Sequence, residues 1–425
     1  MYFCPKFFKQ NMGIFYGILI RLFHVLARIK ARSDSKVKLF IEGRINLLPK
    51  IQKEIDKNAK IAWFHAASLG EFEQARPAIE KFKEKYSAYK ILLTFFSPSG
   101  YEIRKNYKLA DYVYYMPLDT KTNVKKFVQY TNPQIVLFVK YEFWFNYIKE
   151  INKRGIPLFL ISGIFRQNHI FFKWYGVFYR QLLRRFTHIF VQNSESYNLL
   201  RKIGISVISV CGDTRFDRVT KIALESVKFP EVENFKENKK IIIAGSTWQK
   251  DEELIIKYIN QCKRDLKYII APHEVDKQNI NRILNGLEVK STRFSEIKKS
   301  NLKESKVLVI DNIGILSSLY KYGEIAYIGG AFGKGLHNIL EAATFGLPVI
   351  FGPNYKKFNE AVNLIEHKAA FSINNYEEFY NIIEQLLINT DFFNTASNTC
   401  KYFIKSNKGA SQHIINTIEQ KIPNL

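Results

Sequence analysis

Glu324-Ile-Ala-Tyr-Ile-Gly-Gly-Ala-Phe-Gly-Lys-Gly-Leu-His-Asn-Ile-Leu-Glu-Ala-Ala-Thr-Phe-Gly-Leu-Pro-Val-Ile-Phe-Gly-Pro-Asn354 reads as strand, glycine loop, helix, turn and strand. Ile325 to Ile328 is a short apolar run, as expected of a parallel strand buried on both faces. Gly329, Gly330, Gly333 and Gly335 form a loop that can bring backbone N–H groups close to a ligand. Asn338 suits an N-cap, with Glu341 three residues on as in a capping box. Gly346 ends the helix and Pro348 blocks its continuation. A glycine loop feeding a helix N-terminus suits an anion, because unpaired N–H groups and the helix dipole face it. Glu341 either accepts hydrogen bonds from a ribose or caps its own helix, and this run leaves both readings open.

The same unit recurs outward from this run. Ile61-Ala-Trp-Phe-His is a strand, Ala66 to Gly70 a turn, and Glu71 opens a helix to about Lys85. Strands follow at Ile91, Tyr112, Ile135, Pro157 and His188, then in a second series at Ile241, Tyr268, Val307 and Ile325. Strands alternating with helices imply parallel, doubly wound sheets, whose ligands bind beyond the carboxyl ends of the strands. The loops Ser68–Glu71 and Ser97–Gly100 are placed there, and Gly245 to Trp248 is the glycine loop after the Ile241 strand. Phe229 to Lys240 is charged and aperiodic and reads as a linker. The expected division is 1–35, 36–228, linker 229–240 and 241–425.

The chain has 425 residues, 47% of them hydrophobic, enough for two packed domains. Its four cysteines lie far apart without CxxC spacing, which argues against zinc or a disulfide framework. The net charge of +25 implies an anionic partner: nucleic acid, an acidic membrane surface or a phosphorylated substrate. Residues 1–33 contain no acid and interleave Lys6, Lys9, Arg21, Arg28, Lys30 and Arg32 with Phe3, Phe7, Phe8, Phe15, Leu19, Leu22 and Phe23. That pattern reads as a basic amphipathic helix in a membrane interface. Met12 to Ile29 is interrupted by Arg21, His24 and Arg28, short of the roughly 18 apolar residues of a spanning helix. Residues 152–188 are again basic, acid-free and aromatic, which fits a nucleic-acid surface, a lipid-facing patch or a solvated helix face with a buried aromatic side.

Several motifs occur in a specific order: His65-Ala-Ala-Ser-Leu-Gly-Glu71, Thr94–Gly100, Glu142-Phe-Trp-Phe-Asn146, Val191–Glu195, Gly212-Asp-Thr-Arg-Phe-Asp217, Gly245-Ser-Thr247, Ala271-Pro-His273 and Gly329-Gly330 through His337-Asn-Ile-Leu-Glu341. In this order the chain resembles bacterial 3-deoxy-D-manno-octulosonic acid (Kdo) transferases. These are GT-B glycosyltransferases of two Rossmann-like domains flanking a cleft. The resemblance runs through nearly the whole length. It implies transfer of Kdo from CMP-Kdo to a phosphorylated lipid A precursor, lipid IVA, at the cytoplasmic face of the inner membrane. Nucleic acid is then not a partner.

By that resemblance Glu71 is the general base of an inverting transfer, with Glu142 and Arg215 stabilising the transition state. A carboxylate suits the task of taking the acceptor hydroxyl's proton. At a helix start the dipole is expected to lower the Glu71 pKa. CMP-binding positions fall on Pro272, His273, Ile313, Gly314, Ile315, Asn338, Ile339, Leu340 and Glu341. The chain departs from the family at Arg215, where many members carry lysine, and at His273, where arginine is frequent. It also departs at Ile315 (glutamate), Leu336 (glycine) and Ile339 (proline). No Asp-x-Asp occurs, and a single phosphate can be held without a metal, so neither metal nor cofactor is expected. The rival readings are another GT-B enzyme, a UDP-sugar transferase or sugar-nucleotide epimerase, and a basic nucleic-acid-binding protein. Thermal stabilisation by CMP against UDP separates the enzymes.

Overall fold

The computed structural model describes residues 5–299, 301–333, 335–423 and 425. Phe3 and Lys334, named above, and Cys4, one of the four cysteines, lie outside them, as do the side chains of Lys6, Phe7, Phe8, Lys9 and Met12. The chain forms two compact units, Met1–Arg218 with Gly409–Leu425, and Val219–Lys408.

In the first unit seven parallel strands run in the order β3-β2-β1-β4-β5-β6-β7. They are β1 (Ile61–Ala66), β2 (Lys90–Phe95), β3 (Tyr112–Tyr115), β4 (Pro133–Val139), β5 (Leu158–Gly163), β6 (His188–Val191) and β7 (Ile208–Val210). Side chains alternate across the sheet. Trp63, Leu92, Val136, Phe138 and Leu160 fill one face. Phe64, Leu93, Leu137 and Ile161 fill the other. Both faces are dry, so the strands read as continuous apolar runs. Burial of each such side chain contributes about 1.5–3 kcal/mol.

Helix α1 (Pro5–Lys30) is followed by α2 (Ser35–Glu42), α3 (Leu47–Glu54) and α4 (Leu69–Lys85). On α1, Tyr16, Ile20, His24 and Ala27 face the body, while Ile14, Phe15, Ile18, Leu19, Leu22, Leu26 and Ile29 are exposed. Tyr16 Oη donates to Asp119 Oδ2 at 2.6 Å and pins the helix. Among the described residues no helix is long and apolar enough to cross a membrane.

The second sheet has the order β10-β11-β9-β8-β12-β13-β14, also parallel throughout. Its strands are β8 (Lys240–Thr247), β9 (Leu266–Pro272), β10 (Ser291–Arg293), β11 (Val307–Val309), β12 (Ile325–Ile328), β13 (Val349–Phe351) and β14 (Ala370–Ser372).

Two expected boundaries are corrected. The 229–240 stretch is not an open linker: Pro230–Lys236 is a helix, and Val232 and Phe235, one turn apart, are buried. Two apolar positions among charges are too few to show a period. The C-terminal residues do not stay with the second unit. The helix Ala410–Lys421 buries Ile414, Ile415 and Ile418 in the Phe64 cluster of the first. Asp217 Oδ2 fixes its start by accepting from Ser411 N at 2.7 Å. Three strands were also missed, β7, β10 and β14. Each is three residues long and lies at a sheet edge, where short strands are common.

Candidate functional site

In each sheet the chain reverses its winding at one strand. β1 lies between β2 and β4, and β8 between β9 and β12. Crevices at such points are where open α/β sheets bind ligands.

At the first switch point the loops after β1 and β4 carry Glu71 and Glu142. Glu71 lies in the first turn of α4, and its Oε2 accepts from Ala67 N (2.6 Å) and Ser68 N (3.2 Å), reaching back as in a capping box. Its Oε1 has no hydrogen-bond partner among the described residues. Burial, and then the charge of Glu142, push the Glu71 carboxyl above the usual glutamate range. The Ala67 N–H, Lys140 and His65 oppose them. The dipole-lowered pKa expected from the helix start is therefore corrected: desolvation and a like charge outweigh it.

Glu142 is buried, and its Oε2 holds two donors, His65 Nε2 at 3.0 Å and the Trp144 indole N–H. His65 is fully buried and stands beside Thr94 in the β1–β2 register. A carboxylate only accepts, so Nε2 donates to Glu142, while Nδ1 lies 2.9 Å from Thr94 Oγ1 and 3.1 Å from Thr94 O. Trp63 Nε1 in turn donates to Thr94 Oγ1 at 2.7 Å. Four side chains thus form one buried line ending on Glu142.

Arg215 is held by Asp213, whose Oδ2 accepts from Nε at 2.9 Å and Nη2 at 2.7 Å. Its neighbour Thr214 donates through Oγ1 to Gln74 O at 2.6 Å, docking this segment on α4 one turn beyond Glu71. Beside Glu142 opens a cavity of about 440 Å³ lined by Tyr16, Tyr141, Trp144, His169, Phe171 and Tyr179. The aromatic 152–188 run therefore supplies a wall of this cavity. Phe165 and Phe171 are buried, while Ile170, Trp174, Tyr175 and Val177 are exposed. Arg180, counted above in a basic surface, donates to the Phe171 and Lys173 carbonyls.

At the second switch point the ends of β8, β9 and β12 bring three rings together. Trp248 stacks on His273 (centroids 4.7 Å apart), and His273 on His337 (4.5 Å). The Trp248 indole N–H donates to His337 Nε2 at 3.1 Å. Burial, and then His273, pull the His337 pKa down to about 4. Pro272 is buried, His273 exposed, and Ile313 86% exposed beside Gly314 at φ +93° and half-buried Ile315.

The glycine loop differs from expectation. The amides of Gly329, Gly333, Gly335 and His337 donate to backbone carbonyls within the fold. Gly330 N donates to Asp251 Oδ2 at 2.9 Å. These amides are therefore spent on the loop itself. The glycines answer a packing need, since a Cβ at Gly329 would sit 2.4 Å from Ser246 O. The following helix, Leu340–Ala343, is a single turn whose cap is Ile339, not Asn338. Asn338 Oδ1 accepts from Leu340 N at 3.2 Å, and its amide donates to Glu341 Oε1 at 3.0 Å. The capping box is replaced by this side-chain pair. Ile339 and Leu340 are buried, so they can offer a ligand only backbone.

Three groups escaped sequence reading. His65 looked like one more residue of an apolar strand, Trp248 like a loop residue, and Asp251 like a helix start. Asp251 binds Tyr327 Oη (2.6 Å), Trp248 N and Gly330 N, and so organises the whole second crevice. Among the described residues no three of His, Cys, Asp and Glu converge as metal ligands would.

A family model described as 3-deoxy-D-manno-octulosonic-acid transferase (kdotransferase) matches residues 21–218. A 3-deoxy-D-manno-octulosonic acid transferase of Aquifex aeolicus is 29% identical over 79% of this chain and 88% of its own length. One from Rickettsia bellii is 26% identical over 79% and 82%. Among solved structures, UDP-GlcNAc 2-epimerase from Neisseria meningitidis covers 85% of this chain and 100% of its own, at TM-score 0.60 and 16% identity. That likeness shows the fold: two doubly wound units of the GT-B kind.

Proposed function

We propose that this glycosyltransferase, a homologue of the Kdo transferases, carries Kdo from CMP-Kdo to a phosphorylated lipid A precursor, lipid IVA, during lipopolysaccharide synthesis. The observation that carries the reading is the pair of carboxylates at the first switch point. Each has Oε2 fixed by two donors and Oε1 without a partner among the described residues. Glu71 Oε1 takes the proton of the acceptor hydroxyl as that oxygen attacks the anomeric carbon of Kdo. The bond from that carbon to the CMP phosphate oxygen breaks on the opposite face, CMP leaves with the electron pair, and the configuration inverts. Its raised pKa makes Glu71 a stronger base than a solvated glutamate. Glu142, oriented by His65 and Trp144, supports positive charge developing at the anomeric centre. Arg215 meets negative charge on the leaving phosphate or on the sugar carboxylate.

The second unit holds the nucleotide. Its stack of Trp248, His273 and His337 offers ring faces, and Asn338 and Glu341 offer polar edges to the ribose. No metal is needed for a donor with one phosphate. The aromatic cavity beside Glu142 receives the acceptor. The exposed apolar stripe of α1, on an acid-free segment of a chain with net charge +25, lies in the anionic inner leaflet.

The test is purified protein with CMP-Kdo and lipid IVA, read by mass spectrometry of the product. A Glu71→Gln variant that keeps near wild-type turnover removes the base assignment. Stabilisation by UDP rather than CMP would turn the reading toward a UDP-sugar enzyme.

A further inference from the structure

We infer that the first unit holds a second anion site, a cavity against α1 that takes the phosphate monoester of a membrane lipid. The cavity measures about 700 Å³ and is lined by His24 and Arg28 of α1, by Arg44, and by Asn46 and Asn123, with Leu118 among its apolar residues. None of its lining residues is Asp or Glu.

Arg44 is one of two arginines on the cavity wall. Its guanidinium donates to three carbonyls, Met116 O (3.0 Å), Phe40 O (2.8 Å) and Phe96 O (2.7 Å), and lies over the Phe40 ring at 3.8 Å. Three of its five N–H donors are so used, and two remain. No carboxylate pairs with it among the described residues, and burial pulls its pKa down to about 9. A buried cation without a counter-charge is costly unless a ligand supplies one. Burial, and then the charges of Arg28 and Arg44, disfavour protonation of His24, so both arginines reach the same spot. Two arginines around one cavity match a phosphate, which accepts several charge-assisted hydrogen bonds.

The lipid source follows from the helix. His24 and Arg28 lie one turn apart, while Leu19, Leu22, Leu26 and Ile29 of the same helix are exposed. A helix lying with that stripe in the acyl boundary sets the cavity at headgroup depth. A monoester, with charge near −1.5 to −2 and three terminal oxygens, suits two arginines better than a diester does. The site needs no transfer chemistry, so it can fail while the proposed reaction stands.

The experiment is flotation of full-length Glu71→Gln protein with phosphatidylcholine vesicles. These carry phosphatidic acid or phosphatidylglycerol, matched in surface potential. With the surface potentials matched the non-specific attraction cancels, and partition should favour phosphatidic acid by about tenfold, as one charge-assisted hydrogen bond would give. His24→Asn with Arg28→Gln should abolish that preference while lowering partition on phosphatidylglycerol no further than Arg21→Gln does. Arg21→Gln, which removes a charge from α1 outside the cavity, should lower both partitions alike and keep the preference. Arg44 is left in place because it holds three carbonyls. Equal partition on the two lipids, or equal loss of preference in Arg21→Gln, overturns the proposal. So does tight binding of inorganic phosphate, read by thermal shift, in protein that shows no vesicle preference, since the occupant is then soluble.

Discussion

At the switch point of the first sheet two carboxylates meet an imidazole. At that of the second, two imidazoles lie in a stack with an indole. Both sheets are parallel and set their loops at the carboxyl ends, though the second inserts β11 between β9 and β10. The difference lies in what the loops bury. Glu142 and His65 are sealed and fully bonded on one side, so the first crevice stores charge in a dry place. The second spends its acid, Asp251, on holding its own loop, and presents ring faces instead. In the proposed reaction the first site moves a proton, and the second offers ring faces to the nucleotide.

The strongest way to break this contrast is Glu71→Gln. Turnover should fall by roughly 10²–10⁴-fold. Stabilisation by CMP in a thermal-shift assay should not change. Loss of both together would show that the two crevices do not divide the labour.

Charge buried behind the cavity of the first unit offers a second test. Asp119 is raised from 3.8 to about 6, with burial the main cause. The folded state then holds a proton that the unfolded state has lost between those values, so stability falls as pH rises from about 4 to 6. The shift corresponds to about 3 kcal/mol. Urea unfolding of Asp119→Asn should show this pH slope flattened, with the second unit's CMP response intact.

Gly329→Ala tests the reading that the glycines serve packing. Its Cβ would meet Ser246 O at 2.4 Å and Thr247 Cα at 2.6 Å, both backbone. A loss of about 1–3 kcal/mol is expected, together with loss of CMP stabilisation. His337→Leu removes one ring of the stack. It should weaken CMP by about 0.5–1.5 kcal/mol, measured calorimetrically.

The smallest effect is on pH. With Glu71 as the proposed base, activity requires it ionised, so kcat/KM should fall as pH drops through its raised pKa. Lys140 opposes the raise. Lys140→Met should therefore move the acid limb to higher pH, by less than about one unit.

Local pattern carried much of this to the sequence reader. Dry parallel strands leave continuous apolar runs, and Glu71 announces itself as a helix-opening acid after such a run. The rest depended on partners far apart in the chain. His65 is known by Glu142, 77 positions away, and Asp251 by Gly330, 79 away. The glycine amides looked available because a sequence shows donors but not the acceptors that consume them. Edge strands of three residues are too short to show a period of two.

The C-terminal helix has a consequence for biosynthesis. Ile414, Ile415 and Ile418 fill the same cluster as Phe64, Phe72 and Ile79. A ribosome that has finished residues 1–218 has therefore delivered a unit with an open seam, and the intervening 190-odd residues must emerge before the plug arrives. Until then a strip of leucine-, isoleucine- and phenylalanine-lined surface faces the cytosol. Nascent chains stalled before Ala410 should be the ones that chaperones hold and proteases cut.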